Sequence, residues 1–196
     1  MDVANGVDRW VFVGTGRVLH EDDLPDTQIQ TMYAIRDGTL LAPKTPVTTA
    51  LTRSDLVAVT DAAGLANRPD NGWYDDLPVG QKIIVPPQAE LSIVAYVGTS
   101  PRTDPCLTGM PAAVYAREYA RGGSRVEDTG GNIVESIDIA EGVVGIEVIT
   151  MPNPGGGYPE VRLGITQAVD GRLRPIRARL PDDVASRRLS WRLLNE

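Results

Sequence analysis

The residues of this chain best suited to chemistry lie in an acidic loop that follows a glycine-rich turn, "VGTGR" at 13–17. The potential ligands in that loop are His20, Glu21, Asp22, Asp23 and Asp26. Their side chains suit a metal cation, whereas a glycine-rich turn after a strand can instead cradle a phosphate. The stretch could also do no more than turn the chain at the edge of a sheet. The surrounding residues distinguish these three possibilities.

A phosphate site of the dinucleotide-binding type is disfavoured by the residues after the turn. Its Gly-x-Gly-x-x-Gly fingerprint needs a third glycine, a helix that begins at the loop and an acidic residue about 20 positions later. Leu19 occupies the third glycine position, and Pro25 interrupts any helix that would follow. The chain also lacks the Gly-Lys-Ser or Gly-Lys-Thr sequence of a P-loop.

A metal site is also poorly matched. Calcium loops space their acids as Asp-x-Asp-x-Asp-Gly, with a turn glycine that residues 20–26 lack. His20 is the only histidine, whereas transition-metal sites usually need more. We therefore expect a solvated acidic loop without a cofactor, and we retain Asp22, Asp23 and Asp26 as weak candidate ligands.

Nucleophilic catalysis lacks a suitable partner group. Cys106 and every serine could be activated only by His20, which lies in another part of the chain. Adjacent acids such as Asp75 and Asp76 would point to opposite faces of a strand. We therefore predict that the chain is not an enzyme.

Aromatic residues offer a possible binding surface. Trp73 and Tyr74 lie side by side in "NGWYDDLPVGQK" and could form an aromatic binding edge. Aromatic residues in a chain built of packed sheets more often fill the space between those sheets. We favour the packing role for this pair and keep both residues as weak binding candidates.

Composition limits the classes of partner. The chain has 196 residues and a formal net charge of −7, which argues against general binding to nucleic acids or anionic membranes. No apolar run approaches the roughly 20 residues of a membrane-spanning helix. The polar first ten residues do not have the pattern of a secretion signal, so any such signal would lie outside this sequence. The single cysteine, Cys106, cannot form an internal disulfide.

The patterning predicts a mainly β fold. Short β-type runs are bounded by Gly, Pro, Asn and Asp. The predicted strands are 10–14, 31–36, 82–86, 91–98, 112–117, 133–139, 143–150, 160–166, 172–178 and 188–193. One short helix is predicted over 53–65, where Ser54 or Asp55 would cap the first turn and Gly64 would end the last.

An internal repeat groups these strands. "VFVGTGR" at 11–17 is echoed by "AYVGTSPR" at 95–102, and "YAIRDGTL" at 33–40 by "YAREYARGG" at 115–123. In each unit a strand ends in Val-Gly-Thr, a polar loop follows, and a second strand opens near Tyr-Ala.

A weaker third copy is "VRLGITQAVDGRLRPI" at 161–176, where Asp170-Gly171 predicts a two-residue hairpin turn. Repeated antiparallel hairpins joined by polar loops are typical of a β-propeller with four strands in each blade. The predicted strands would form about two to three blades, whereas closed propellers have roughly four to eight. We therefore expect residues 1–196 to be part of a larger propeller or to rely on a partner.

These residues resemble the C-terminal propeller of the PilY family, the type IV pilus assembly and tip-associated adhesins. Residues 11–38 are similar to the family's strand, Gly-Thr-Gly-Arg/Lys turn, loop with Asp-Leu and Asp-Thr, and Gln-x-x-Tyr-x-x-x-Asp pattern. Further similar stretches follow in the family's order: "RSDL" (53–56), "GWYDDLPVGQKI" (72–83), "DPCLTG" (104–109) and "RRLSWRLL" (187–194). The similar stretches together span nearly the whole chain.

The resemblance implies a non-enzymatic domain whose remaining blades lie upstream in a longer protein. It implies roles in pilus biogenesis, adhesion and surface sensing. The partners would be minor pilins or other pilus-tip proteins and a host or abiotic surface. The protein would be exported through the periplasm to an extracellular or outer-membrane-associated position at the pilus tip.

Two features of this chain depart from that family. Its members often carry a regulatory calcium loop, but the nearest stretch here, "VEDTGGNIVES" at 126–136, lacks the Asp-x-Asp-x-Asp spacing. Calcium is therefore a doubtful cofactor, with Asp128, Asn132 and Glu135 as the available ligands. The family's cysteine in Asp-Pro-Cys can pair with another cysteine, whereas Cys106 has no partner in this sequence.

Two alternative functions remain open at this point. "YAIRDG" at 33–38 has some likeness to propeller enzymes of the quinoprotein type, which need a bound quinone, a calcium ion and a stacking tryptophan in most blades. The three tryptophans of this chain have no repeated spacing, which argues against such an enzyme. The chain could also be a structural domain of a surface or fibre assembly.

Overall fold

The computed structural model describes residues 2–4, 8–39, 50–102, 109–151 and 160–180. Within these ranges the chain forms short strands, single 3₁₀ turns at Glu21–Asp23 and Arg53–Asp55, and no α-helix. The strands are β1 (Asp2–Ala4), β2 (Asp8–Gly14), β3 (Thr31–Thr39), β4 (Val57–Val59), β5 (Gly72–Asp76), β6 (Gln88–Glu90), β7 (Ile93–Thr99), β8 (Ala112–Glu118), β9 (Val126–Glu127), β10 (Ile133–Val134), β11 (Ile137–Ile139), β12 (Val143–Met151), β13 (Glu160–Gln167) and β14 (Leu173–Ala178). The predicted mainly β class is confirmed.

The strands belong to three sheets. The first sheet has the order β1-β2-β3-β5-β4, the middle sheet β11-β8-β7-β6, and the third sheet β10-β9-β14-β13-β12. Neighbouring strands are antiparallel, except that β4 and β5 run parallel. The described strands close no barrel or ring, so the propeller arrangement belongs with the proposals below.

The middle sheet is covered on both faces. Every residue of β7 and β8 is buried. Because side chains alternate between the faces of a strand, Ile93 and Ala95 enter one apolar core while Val94 and Tyr96 enter another. Strands buried on both sides read as near-continuous apolar runs, which explains the sequences of β7 and β8.

Each outer sheet contributes one face to these cores. The first sheet contributes Trp10, Met32 and Trp73, together with the small Ala34, to the core shared with the middle sheet. The third sheet packs its aliphatic face on the other side of the middle sheet through Val161, Leu163, Ile165 and Ile176. The three sheets are therefore stacked, with a separate core at each interface.

The predicted helix over 53–65 is wrong. Residues 53–55 form a 3₁₀ turn, and the next residues form β4, whose Val57 and Val59 pair with Trp73 and Asp75 of β5. β-branched residues such as Val57 and Val59 lose little side-chain rotamer freedom when they enter a strand. Pairing with the buried strand β5 therefore outweighs the weak helical pattern. Gly64 has a φ of +76° and closely approaches Gly123. These two constraints, and not the end of a helix, account for the glycine at this position.

Other strand predictions need smaller corrections. In the predicted strand 82–86, Lys82 forms an isolated bridge to Thr99 and no regular strand follows. The predicted strand 133–139 is divided into β10 and β11, which join different sheets. The predicted strand 188–193 lies outside the described residues.

Each copy of the internal repeat corresponds to a hairpin. In the first unit β2 pairs with β3, and in the second β7 pairs with β8, each antiparallel. The weaker third copy is the hairpin of β13 and β14, also antiparallel. The Gln167 N–H donates to the Arg172 carbonyl (3.0 Å), so these two residues close the hairpin loop. The loop therefore has four residues, 168–171, and not the predicted two.

A short segment joins the first two hairpins. The Lys82 N–H donates to the Thr99 carbonyl (2.7 Å) and the Thr99 N–H donates back to Lys82 (2.8 Å). The next residue, Ile83, donates its N–H to the Thr15 carbonyl (3.0 Å). Thr15 and Thr99 are equivalent residues of the Val-Gly-Thr repeat, so one segment binds the same position of both units.

Candidate functional site

The glycine-rich turn packs closely against this joining segment. The Thr15 N–H donates to the Thr31 carbonyl (3.0 Å), and the Thr31 N–H donates to Thr15 Oγ1 (2.7 Å), which closes the base of the loop. Gly16 has a φ of +132°, and a Cβ there would lie 2.7 Å from the Ile83 nitrogen. The turn glycine is needed for this backbone approach.

Asp23 organises the acidic loop from within. Its Oδ2 accepts hydrogen bonds from the N–H groups of Leu19 (2.9 Å) and His20 (3.1 Å), and its Oδ1 accepts one from Arg17 Nε (2.9 Å). These donors, the Leu19 N–H foremost, lower the pKa of Asp23 below its ordinary value. The carboxylate therefore stabilises the turn.

Asp26 is bound by a buried lysine. Lys82 Nζ donates to the Asp26 carbonyl (3.1 Å) and to Asp26 Oδ2 (3.2 Å), and the Lys82 side chain is only 1 % exposed. The N–H of Gln28 and this ammonium group lower the pKa of Asp26. The acidic loop is thereby held against the segment that joins the two hairpins.

The remaining acid of the candidate set faces solvent. The Asp22 side chain is 91 % exposed, and the main-chain N–H of Asp22 donates to His20 Nδ1 (3.2 Å). Across the described ranges, no three His, Cys, Asp or Glu side chains come together in a way that could hold a metal ion. The loop holds Asp22, Asp23 and Asp26 in three different environments.

The second set of candidate ligands forms its own turn. Asp128 Oδ1 accepts hydrogen bonds from the N–H groups of Gly130 and Asn132, each at 2.8 Å. Asn132 Nδ2 donates to Asp128 Oδ2 (3.1 Å). The N–H of Asn132 is the main cause of a lowered pKa at Asp128. Glu135 instead pairs with Arg117, away from this turn.

The two aromatic candidates lie on opposite faces of β5. Trp73 is fully buried, and its Nε1 donates to the Tyr119 carbonyl (2.7 Å). Tyr74 is half-buried on the other face, with the Arg53 guanidinium 3.9 Å from its ring centroid and the Tyr33 ring 6.3 Å away. Tyr74 and not Trp73 therefore reaches the surface.

A cluster of buried, interacting polar groups lies between the first and middle sheets. Arg117 on β8 is fully buried, and its Nη2 lies 2.8 Å from Asp75 Oδ2 on β5. The same guanidinium pairs with Glu135, and the Tyr96 hydroxyl donates to Asp75. We call Asp75, Tyr96, Arg117 and Glu135 the junction cluster. Sequence reasoning missed it because its members lie far apart in the chain.

Burial and charge perturb the ionisation of this cluster. Burial raises the pKa of Tyr96 well above its ordinary value and that of the adjacent Tyr115 to about 12. The rings of Tyr96 and Tyr115 are stacked with centroids 5.0 Å apart, and the Tyr115 hydroxyl donates to Gln81 Oε1 (2.9 Å). Burial alone would lower the pKa of Arg117, but Tyr96 and Asp75 reverse the effect and raise it. The arginine stays charged and neutralises Asp75.

Several sequence features lie outside the described residues. They are the "DPCLTG" stretch up to residue 108 with Cys106, most of the "NPGGGYPE" segment, and the closing "RRLSWRLL". Within the ranges described, no helix is long and apolar enough to span a membrane.

Comparison with known proteins shows a similarity at the level of the fold. No protein-family model matches the chain, and no curated protein matches it. A solved structure, the PilY1 C-terminal domain of Pseudomonas aeruginosa, superposes with a TM-score of 0.56 at 18% sequence identity. The similarity covers 88% of this chain but 42% of that one, so this chain spans less than half of the solved domain. The chain thus shares its fold with part of that domain.

Proposed function

We propose that this chain is the C-terminal propeller portion of a type IV pilus-associated surface protein. It acts without catalysis in pilus biogenesis and adhesion. The observation that carries the proposal is the likeness to the PilY1 C-terminal domain over 88% of the chain. The similar sequence stretches between residues 11 and 194, which follow the family's order, support the same assignment independently of the fold.

The stacking of the sheets is compatible with a propeller. A blade inside a propeller packs both of its faces on neighbouring blades, as the middle sheet does here. We take each of the three sheets as one blade. Further blades, in a longer polypeptide, would then complete the ring.

A binding role without catalysis agrees with the location of the polar groups. The tyrosines with raised pKa values lie in or beside the junction cluster, packed between two sheets, where the Tyr96 hydroxyl donates to Asp75 and the Tyr115 hydroxyl donates to Gln81. Catalytic groups would need access to a substrate. We accordingly assign no catalytic residue and no cofactor, and we propose minor pilins, other tip proteins or a host or abiotic surface as partners at an extracellular or outer-membrane-associated site.

Deletion of the gene tests this proposal. We expect loss of surface pili in electron micrographs and loss of twitching motility. The intact gene should restore both, whereas a gene lacking the codons for this chain should not. Normal piliation and motility in the deletion strain would contradict the proposal. A quinone absorption band in the purified protein would favour an enzyme, and incorporation into another fibre would favour a structural domain.

A further inference from the structure

The third sheet ends on one side at a long open edge. β12 has nine residues and pairs, among the described strands, only with β13. The strands at the other sheet edges have only two or three residues each, namely β1, β4, β6, β10 and β11. A short edge strand offers little main chain to a further strand, whereas a long one is a template for strand addition. Within the described part of the chain, β12 is therefore the edge best suited to bind another strand.

β12 also lacks the features that usually protect a sheet edge. It contains no proline, and Glu147 is its only charged residue. Its one irregularity lies at the start, between Val143 and Gly145. From Gly145 to Met151 the strand stays in unbroken register with β13. The edge is thus regular over most of its length.

The two faces of β12 favour different side chains in an added strand. On the core face Ile146 is buried, whereas Val148 packs against the same core and is only partly buried. On the outer face Glu147 forms no ion pair with any residue of the described ranges. Apolar residues on the core face and a cation on the outer face would therefore stabilise a strand beside β12.

One segment of this chain has the matching pattern. The stretch "RRLSWRLL" (187–194) lies outside the described residues, and its sequence predicts a strand over 188–193. Because side chains alternate along a strand, one face would carry Leu189, Trp191 and Leu193 and the other Arg188, Ser190 and Arg192. The first face suits the core beside Val148, and the second suits Glu147.

The end of β14 brings the chain within reach of this edge. The registers align Ala178 of β14 with Val161 of β13, and Val161 with Thr150 of β12. The position beyond β12 lies three strand spacings from β14, which is about 14 Å. Residues 181–187 can span up to roughly 23 Å.

The strand directions also fit. β12 and β14 run the same way, because both are antiparallel to β13. A strand that returns from the end of β14 would therefore run antiparallel to β12. Three consecutive antiparallel strands, followed by a fourth that returns beside the first, form a Greek key, a common arrangement in antiparallel sheets.

We propose that the open edge of β12 binds residues 188–193 of the same chain as an added antiparallel strand. Main-chain hydrogen bonds hold the strand, and its alternating side chains determine which face meets the core. The leucines and Trp191 cover the core beside Val148, while the arginines lie beside Glu147. The inference rests on the third sheet and does not depend on the pilus assignment.

Disulfide cross-linking of the purified chain tests the location of the segment. In a Cys106→Ser background, E147C is combined in turn with R188C, S190C and R192C, and with L189C as the matched control. Side chains directly opposite on one face of a strand pair are close enough for a disulfide, whereas those on opposite faces are not. We expect at least one of the first three pairs to form a disulfide within one chain, and the L189C pair to form none. The proposal is overturned if no pair reacts, if L189C reacts equally well, or if the disulfide joins two chains.

Amide hydrogen exchange, followed by NMR, is an independent test that needs no cysteine. In the unaltered chain the β12 amides that point away from β13 should exchange slowly. The L189N/L193N variant should speed their exchange at least about tenfold and leave the β13 amides unchanged, which also shows that the variant folds. S190N is the control, because Ser190 lies on the outer face and its substitution should leave exchange unchanged. Fast exchange of these amides in the unaltered chain, or equal acceleration by S190N, would contradict the proposal.

Discussion

The two best copies of the internal repeat have the same topology but different surroundings. The hairpin of β2 and β3 has one face in the core and one face partly open to solvent. The hairpin of β7 and β8 is buried on both faces. The Val-Gly-Thr repeat therefore determines how a strand ends and pairs. The position of the sheet, outside or in the middle of the three, determines how many of the strand's side chains are buried and hence apolar.

Charged residues show the difference most clearly. On the first hairpin, Arg36 pairs with Asp8, and Asp8 also has Arg68 as a second partner. On the second hairpin, Arg117 is fully buried and neutralises Asp75 inside the protein. Both carboxylates are buried, Asp8 with 7% and Asp75 with 6% exposed, and a buried carboxylate that loses its cation is strongly destabilising. The difference between the hairpins is that Asp8 has two cationic partners where Asp75 has Arg117.

The largest predicted effect comes from removing the buried arginine. Arg117→Ala leaves the Asp75 carboxylate buried without its cation, and we expect the free energy of unfolding to fall by about 3–5 kcal/mol. Arg36→Ala should cost less than half as much, because Asp8 keeps Arg68. Urea denaturation of both variants measures the contrast. Equal losses would show that the second cation at Asp8 gives no protection.

Glycine substitutions compare equivalent positions of the repeat. A Cβ on Gly14 would lie 2.9 Å from Ile83 Cβ, which cannot move without its backbone. We expect Gly14→Ala to cost about 1–3 kcal/mol through this overpacking.

At the equivalent Gly98, a Cβ would instead meet Gln81 Oε1, the end of a flexible side chain, at 2.3 Å. Gly98→Ala should cost about 1 kcal/mol, since Gln81 can move away at the expense of its hydrogen bond with Tyr115. Thermal unfolding of the two variants tests the order, and a larger loss for Gly98→Ala would contradict it.

The smallest effect concerns the acidic loop of the first hairpin. The folded-state pKa of Asp23 is lowered, so its contribution to stability is present above the unfolded value of 3.8 and is lost as the pH falls toward the folded value. Asp23→Asn should therefore make the thermal midpoint less dependent on pH between about pH 5 and pH 2. Asp22→Asn is the control, because that carboxylate is 91 % exposed. If Asp22→Asn flattens the curve as much as Asp23→Asn, Asp23 has no special role.

Local sequence patterns predict those strands whose residue types follow directly from their burial. β7 and β8 are recognisable because burial on both faces requires continuous apolar runs. β5 was missed because Gly72, Asp75 and Asp76 are typical of a turn, although Asp75 is buried against Arg117. The 53–65 segment was misread because its helical spacing is local, whereas the pairing of β4 with β5 is not.

The candidate site was predictable only in its general character. Spacing alone argued that residues 20–26 form an acidic surface loop and not a phosphate or calcium loop. It could not show that Asp23 accepts hydrogen bonds within the turn or that Lys82 reaches Asp26 from a distant segment. The junction cluster depends entirely on the packing of separate strands, to which no local pattern corresponds.

The two-residue segment that joins the hairpins has a consequence for unfolding. Lys82 and Ile83 hold Thr99 and Thr15 through adjacent main-chain hydrogen bonds, so neither hairpin can leave the other without breaking them. We therefore expect the first and middle sheets to exchange their amide hydrogens as one cooperative unit, with the amide of Lys82 among the slowest.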